Sequence, residues 1–231
     1  MRRLLLGVLL LAPGGLAQSP TASPATPAEV SFQFDRTGLP VPKFVLVVRE
    51  DGTGTYKGET AMTSRSAYGG SLPSTTPGPP IDRTIQISPA TTAEIFKAAR
   101  ALNLFGIACE SKAKNIADTG KKVLSYSGSD GHGSCQYNYS DNKSVMQLTE
   151  TFQAIAFTMD EGRKLDFMHR FDRLGLYSEI DVLRKEVEAK RAIELGNIAS
   201  SLTSIINDEA LMEKVRERAA SLLNNSGMAS R

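Results

Sequence analysis

Alternating apolar and polar residues predict a sheet in the first half of the chain. Val30, Phe32 and Phe34 alternate with polar neighbours, which is the period of a strand with one buried face. The pair Asp51-Gly52 lies between two β-prone runs and is typical of a hairpin turn. We expect one antiparallel sheet. Its predicted strands cover 30–35, 44–49, 53–57 and 83–88, with a strand pair over 121–139.

Three-four spacing of apolar residues predicts helices in the rest of the chain. Thr91 and Glu94 have the spacing of a capping box, so we predict a helix over 91–105 that packs on the sheet. From Ser144 onwards the spacing predicts three or four helices, and Asn207 or Asp208 is expected to cap the last one. One stripe that we expect to be buried there consists of Leu165, Met168, Phe171 and Leu174.

The predicted fold class is α+β, an antiparallel sheet with one packed helix followed by a C-terminal helical bundle or subdomain. We assign 29–143 to the α+β domain, 144–224 to the helical region and 225–231 to a disordered tail. The stretch 66–80 is rich in Pro and Gly. Because proline cannot donate to a strand ladder, we predict an irregular loop there, outside any sheet.

The first 28 residues predict export. Arg2 and Arg3 precede a short apolar run, and small residues follow as far as Ala17, which is the order found in a secretory signal peptide. The apolar run is much shorter than the roughly 20 residues that a membrane-spanning helix needs. We therefore expect 1–17 to be removed, no stable membrane span after cleavage, and a secreted or periplasmic protein. Residues 18–28 are rich in Pro, Ser, Thr and Ala, which predicts a linker.

Composition narrows the function only slightly. Of the 231 residues, 41% are hydrophobic and 23% are charged, as in ordinary globular proteins. A net charge of +2 gives no reason to expect a nucleic-acid partner. Trp is absent and aromatic residues make up 6%, which disfavours surfaces that stack sugars or bases.

The two cysteines, Cys109 and Cys135, favour a disulfide, because an even number of cysteines in an oxidising compartment usually pairs. A closed loop of about 26 residues would contribute roughly 3.5 kcal/mol in the loop-entropy description. Two separate buried thiols are the alternative. A free nucleophilic thiol is a second alternative and would need a histidine partner, for which His132 is the nearest candidate in sequence.

No residue pattern identifies a catalytic or cofactor site. The two histidines, His132 and His169, are too few and too isolated for a zinc site, although Asp166 and Asp172 lie three residues on either side of His169. A serine triad would draw on Ser129, Asp130, His132 and Ser134. Their closeness in sequence argues against it, because triad members converge from separate elements. We find no phosphate-binding loop and expect no cofactor.

The run Asp-Gly-Thr-Gly-Thr-Tyr-Lys-Gly at 51–58 resembles a pattern in small exported bacterial domains of unknown function. In those domains a strand, an Asp-Gly turn and a Tyr-containing return strand precede a strand, a helix and a further strand pair. The order from Phe44 to Leu148 is similar. The cysteines that such domains often carry before the first hairpin strand are missing here. The resemblance implies an extracytoplasmic domain and carries no activity with it.

These patterns favour an exported, non-catalytic structural or protein-interaction module, with the C-terminal helices as the contact for a protein partner. A secreted hydrolase without a recognisable motif is one alternative. A secreted inhibitor or ligand-binding protein that uses the 66–80 loop is another. A concave site with converging titratable groups would favour the hydrolase, whereas an exposed apolar patch on the helices would favour the interaction module.

Overall fold

The computed structural model describes residues 27–65 and 71–225. The predicted signal peptide, nearly all of the predicted linker and the predicted tail after Asn225 lie outside the described residues. The described residues form eight strands, which are β1 (Glu29–Asp35), β2 (Lys43–Arg49), β3 (Thr53–Glu59), β4 (Ala61–Arg65), β5 (Ser71–Pro77), β6 (Ile81–Gln86), β7 (Lys121–Gly128) and β8 (Gly131–Tyr137). The same part of the chain forms five α-helices, which are α1 (Pro89–Ala101), α2 (Lys143–Phe171), α3 (Leu176–Glu188), α4 (Ala199–Ile206) and α5 (Glu213–Asn225).

Six of the strands form one antiparallel sheet in the order β6-β3-β2-β1-β7-β8. The predicted α+β fold class is therefore confirmed. The alternating pattern decides which side chains are buried, because successive residues of a strand point to opposite faces. In β1, for example, Val30, Phe32 and Phe34 are buried while Gln33 between them is exposed.

The prediction of an irregular loop over 66–80 is wrong for 71–77, which form strand β5, whereas 78–80 have no regular secondary structure. Strands β4 and β5 pair with each other in a separate two-stranded sheet, and β5 includes Pro73 and Pro77. The two strands continue the β3–β6 ribbon away from the main sheet. Thr60 holds the base of this arm, because its carbonyl accepts from the N–H of Gly78 at 2.6 Å and its hydroxyl donates to the carbonyl of Pro79 at 2.7 Å. Prolines are tolerated because a two-stranded ribbon has only edge strands.

Helix α1 begins earlier than the predicted capping box. Ser88 is the N-cap, with its Oγ accepting from the N–H of Thr91 at 3.4 Å, and Pro89 takes the first helical position. Proline suits that position because its missing N–H would have no intrahelical partner there. The predicted strand over 83–88 consequently ends at Gln86.

Helix α2 is 29 residues long and contributes to two cores. Its first half packs on the sheet, where the rings of Phe32 and Phe152 stack with centroids 5.3 Å apart. Leu165 in its second half belongs to a separate core that it shares with α3, α4 and α5. The side chains that are fully buried in this second core include Leu176, Ile180, Leu183, Leu202 and Ile205. The predicted helical region therefore shares its first helix with the sheet.

The predicted cap of the last helix is wrong. Helix α5 begins at Glu213, several residues after Asn207 and Asp208. Asp208 instead accepts hydrogen bonds from the N–H of Ala210 at 3.0 Å and from the side chains of His169 and Arg173. Its carboxylate thus ties the loop between α4 and α5 to the end of α2.

The predicted disulfide between Cys109 and Cys135 is confirmed, with the two Cα atoms 5.7 Å apart. The bond joins β8 to the segment that follows α1, and both cysteines are buried. The carbonyl of Leu104 lies against Gly133 of β8, at a place where the Cβ of any larger residue would collide with it. The glycine and the disulfide together hold this segment against the sheet.

A loop between α3 and α4 joins the helical region to the sheet. The carboxylate of Glu194 accepts from the N–H of Ser88 at 2.9 Å and from the Ser88 hydroxyl at 2.7 Å. A negative charge is favourable at this place, because the N-terminus of α1 carries a partial positive charge. Among the described residues, no helix is both long and apolar enough to cross a membrane.

Candidate interaction surface

Three strongly exposed apolar side chains lie at the end of α2. Phe167, Phe171 and Leu174 are 58%, 72% and 85% exposed, although most large apolar side chains of the described residues are buried. Phe167 and Phe171 are one helical turn apart, and their ring centroids are 5.1 Å apart. We call these three residues the apolar tip. Clustered apolar side chains on a surface point to an interaction site more strongly than single ones do.

The apolar tip corrects part of the predicted buried stripe. Leu165 is fully buried and Met168 packs partly against the second core, but Phe171 and Leu174 face solvent. The helix ends at Phe171, so Leu174 no longer follows the helical period. The sequence did carry a signal for this surface, because Phe167 and Phe171 are four residues apart on a face different from that of Leu165.

A tight turn fixes the end of the helix beneath the apolar tip. The N–H of Asp172 donates to the carbonyl of Met168 at 2.8 Å, and the N–H of Gly175 donates to the carbonyl of Asp172 at 3.1 Å. Gly175 lies so close to the Met168 side chain that a Cβ at this position would collide with it. The two backbone hydrogen bonds hold the turn that carries Leu174.

Arg163, Arg170 and Arg173 lie close to the apolar tip in sequence, and two of them are paired. Arg163 donates to Asp160 at 2.9 Å, and Arg173 donates to Asp208 at 2.7 Å. Arg170 is exposed and forms no ion pair within the described residues. Asp166 and Asp172 adjoin the same apolar residues in sequence, so the surroundings of the apolar tip carry charges of both signs and form a polar rim, as in protein–protein interfaces.

Two buried carboxyl groups lie in the helical region. Glu161 on α2 and Glu179 on α3 are 7% and 8% exposed. The Lys164 ammonium lies 2.5 Å from an oxygen of Glu179 and 3.8 Å from one of Glu161. Burial raises the pKa of Glu161 well above its ordinary value, and the neighbouring Glu179 carboxyl raises it further. The Oε2 atom of Glu161 has no partner among the described residues. We infer that Glu161 is protonated in the folded protein near neutral pH.

His169 is paired with a residue that sequence spacing did not indicate. Its Nε2 lies 2.8 Å from Oδ2 of Asp208, rather than beside Asp166 or Asp172. This hydrogen bond lowers the pKa of Asp208, and the nearby Arg173 guanidinium lowers it further. The described residues contain no group of three His, Cys, Asp or Glu side chains that could hold a metal ion.

The residues considered for a serine triad do not converge. Asp130 accepts from the Tyr126 hydroxyl at 2.6 Å and from Nε of Arg100 at 3.4 Å, so its carboxylate is directed toward the core side of the sheet. His132 and Ser134 occupy alternate exposed positions of β8, opposite Ser127 and Ser125 of β7. These groups are therefore divided between the two faces of the sheet. Ser129 lies in the turn between β7 and β8.

Comparison with known proteins does not assign this chain to a family. No protein-family model matches this chain, and no curated protein matches it.

Proposed function

We propose that this chain is an exported, non-catalytic protein-interaction module that binds a partner protein through the apolar tip. The single observation that supports the proposal most is the exposure of Phe167, Phe171 and Leu174 at one end of the helical region. Burying a Phe or Leu side chain contributes about 1.5–3 kcal/mol. Three of them can therefore anchor a protein–protein contact.

Export is part of this proposal. The Cys109–Cys135 disulfide supports it, because such bonds persist mainly in oxidising compartments. Sequencing the N-terminus of the protein isolated from its native cells tests it directly. We expect the chain to begin at Gln18, and a cytosolic protein that begins at Met1 would contradict the export proposal without affecting the apolar tip.

Photo-crosslinking tests the contact. A benzoylphenylalanine residue replaces Phe171 in the full chain, and Tyr139, an aromatic residue that is 39% exposed on the sheet side, is replaced in the same way as the matched control. Irradiation of intact cells should give a specific adduct from position 171 that position 139 does not give. Mass spectrometry then identifies the protein in the adduct.

Binding of the purified partner completes the test. We expect the double variant Phe167→Ser, Phe171→Ser to weaken binding at least tenfold while Tyr139→Ser leaves it unchanged. Phe167 and Phe171 are exposed, so their replacement should keep the fold, which a circular dichroism spectrum checks. Equal binding by both variants, or identical adducts from both positions, would rule out the apolar tip as the contact.

A further inference from the structure

Strand β6 is an open edge of the six-stranded sheet. It stands at one end of the sheet order and pairs with β3 on one side only. Three successive residues in its middle, Asp82, Arg83 and Thr84, are exposed. Strand β8 at the opposite end differs, because the disulfide joins it to the segment that follows α1. An open edge is a place where another strand can add to a sheet.

The hydrogen bonds of β6 show which of its backbone groups face outward. The N–H of Ile87 donates to the carbonyl of Gly52 at 2.8 Å, so the odd-numbered residues of this segment direct their polar groups toward β3. The even-numbered residues direct theirs away from the sheet, because an antiparallel ladder alternates. A side-chain amide from the helical region bonds both outward groups of Gln86. Those of Asp82 and Thr84 have no partner among the described residues.

The side chains of these residues set the charges that a neighbouring strand would meet. The Asp82 carboxylate lies 3.2 Å from the Lys57 ammonium on β3, and 68% and 60% of the two side chains stay exposed. Arg83 forms no ion pair within the described part of the chain. Side chains directly opposite each other on paired strands interact. A neighbouring strand is therefore favoured when it places a carboxylate opposite Arg83.

We infer that β6 binds an extended segment of a partner protein, which adds to the sheet as an antiparallel strand. The segment would exchange N–H and carbonyl hydrogen bonds with both Asp82 and Thr84. Along its own direction it carries a β-branched residue opposite Thr84, an acidic residue opposite Arg83 and a basic residue opposite Asp82. The added strand is bonded only as far as Thr84, because the outward groups of Gln86 are already occupied.

A second copy of this chain suits the edge less well. A symmetric pair of β6 strands that bonds both free positions brings Arg83 opposite Arg83 of the second copy, and like charges in direct opposition are destabilising. A symmetry axis at Thr84 would instead bring Asp82 opposite Gln86, whose outward groups are occupied. The edge therefore favours a different protein as its partner.

Synthetic peptides test the inference by titration into the ¹⁵N-labelled full chain, followed through amide chemical shifts. The probe is acetyl-Val-Thr-Glu-Lys-Val-Thr-amide, whose Thr-Glu-Lys run matches Thr84, Arg83 and Asp82 in antiparallel order. We expect saturable shifts at 82–84 and at the neighbouring residues of β3. Replacing the Glu of the probe with Lys should weaken binding about fivefold, because a cation then lies opposite Arg83.

N-methylation of the probe separates strand addition from charge attraction. An N-methyl group on the first Thr of the peptide removes an N–H that faces the Thr84 carbonyl, and we expect it to abolish binding. An N-methyl group on the Glu of the peptide replaces an N–H that faces solvent, so this matched peptide should bind like the probe.

Two variants of the protein locate the site. Thr84→Pro removes an outward N–H and leaves the ladder to β3 intact, so we expect the fold to persist and the probe to bind about tenfold more weakly. Thr84→Ala is its matched control and should bind like the unmodified chain. Arg83→Glu should reverse the preference between the Glu and Lys peptides, and it serves if Thr84→Pro does not fold. Lys97→Glu, at an exposed position of α1, is the control for this reversal.

Four results would overturn the inference. Equal binding of the two N-methyl peptides would show that the backbone of β6 takes no part. Equal binding of the Glu and Lys peptides would exclude Arg83 as the selecting charge. Unchanged binding to Thr84→Pro would place the peptide elsewhere. Shifts at 82–84 that depend on protein concentration without peptide would show that a second copy occupies the edge. None of these results bears on the apolar tip, which the crosslinking experiment tests separately.

Discussion

The side-chain amide of Asn197 pairs with both backbone polar groups of Gln86. Its Oδ1 accepts from the N–H of Gln86 at 2.7 Å, and its Nδ2 donates to the Gln86 carbonyl at 3.0 Å. Gln86 is the last residue of the edge strand β6, so Asn197 takes the place that a neighbouring strand would occupy there. A loop of the helical region thereby completes the end of the sheet.

This pairing predicts the effect of Asn197→Leu. Both hydrogen bonds are lost, and because the groups are partly exposed to water, we expect a loss of about 1–2 kcal/mol in the free energy of unfolding. Hydrogen exchange of the Gln86 amide should become faster in the same variant. Asn224→Leu, at an exposed position of α5, is the control and should change neither quantity. Unchanged exchange at Gln86 would mean that the pairing does not persist in solution.

The surroundings of Gly162, in the middle of α2, predict that a larger residue at this position would clash with its neighbours. A Cβ at this position would overlap Cγ2 of Ile198, which belongs to the second core. Gly162→Ala should therefore destabilise the protein by about 1–3 kcal/mol, although alanine is otherwise favoured over glycine in a helix by about 1 kcal/mol.

A double-mutant cycle separates these two effects. Ile198→Ala removes the overlapping methyl group. Gly162→Ala should then be neutral or stabilising in the Ile198→Ala background, as measured by urea unfolding. If Gly162→Ala lowers the free energy of unfolding equally in both backgrounds, the overlap with Ile198 is not the cause of the destabilisation.

The buried pair of Glu161 and Glu179 predicts that stability falls as the pH rises. The pKa of Glu161 is higher in the folded than in the unfolded protein. Its contribution to stability is therefore fully present when the pH lies below the pKa of the unfolded state, and it is lost as the pH rises through the pKa of the folded state. Between the two pKa values the free energy of unfolding should decrease by up to about 1.4 kcal/mol per pH unit from this group. Lys164 and Asp160 are the other charged groups that act on it.

Glu161→Gln tests this dependence, because glutamine has a similar shape and no charge. The variant should be more stable than the unmodified protein at pH 8 and about equally stable at pH 5. Urea midpoints at the two pH values measure the difference. Glu188→Gln, an exposed carboxylate on α3, is the control. A parallel pH dependence in the unmodified protein and in Glu161→Gln would exclude Glu161 as its source.

The surroundings of Lys122 predict that replacing it with an uncharged residue strongly destabilises the protein. Its ammonium is buried and has three N–H donors. Four uncharged oxygens lie within hydrogen-bond distance of it, at 2.8–3.1 Å, and they are the carbonyls of Thr119, Gly120 and Asn138 and the Thr119 hydroxyl. Burial lowers its pKa. Lys122→Met keeps the apolar stem and removes the ammonium donor from these oxygens, although the Asn138 carbonyl still accepts from the Thr119 hydroxyl. We expect a loss of about 2–3 kcal/mol in the free energy of unfolding. Lys121→Met, on the exposed side of the same strand, should change the melting temperature little.

Much of the fold was predictable because its signals are local. Strand alternation depends on which face of the sheet is buried, so Val30, Phe32 and Phe34 identified their strand directly. The disulfide followed from the number of cysteines. The arm formed by β4 and β5 was missed because Pro73 and Pro77 normally argue against a strand, and only the pairing across the ribbon shows that they are tolerated.

The apolar tip was harder to predict, although its three residues are close together in sequence. The apolar tip was partly hidden by the three-four spacing, which grouped Phe171 with the buried Leu165. Spacing gives the period of a helix but does not determine where the helix leaves its core.

The shared helix α2 has a consequence for how this protein can be inherited and engineered. A gene fragment that stops before α2 would leave the sheet without Phe152 and Ile155 to cover it, and one that begins there would give half of the helix nothing to pack against. Recombination could not exchange the two parts as independent modules. The protein has to be moved between hosts, or fused to another protein, as one piece.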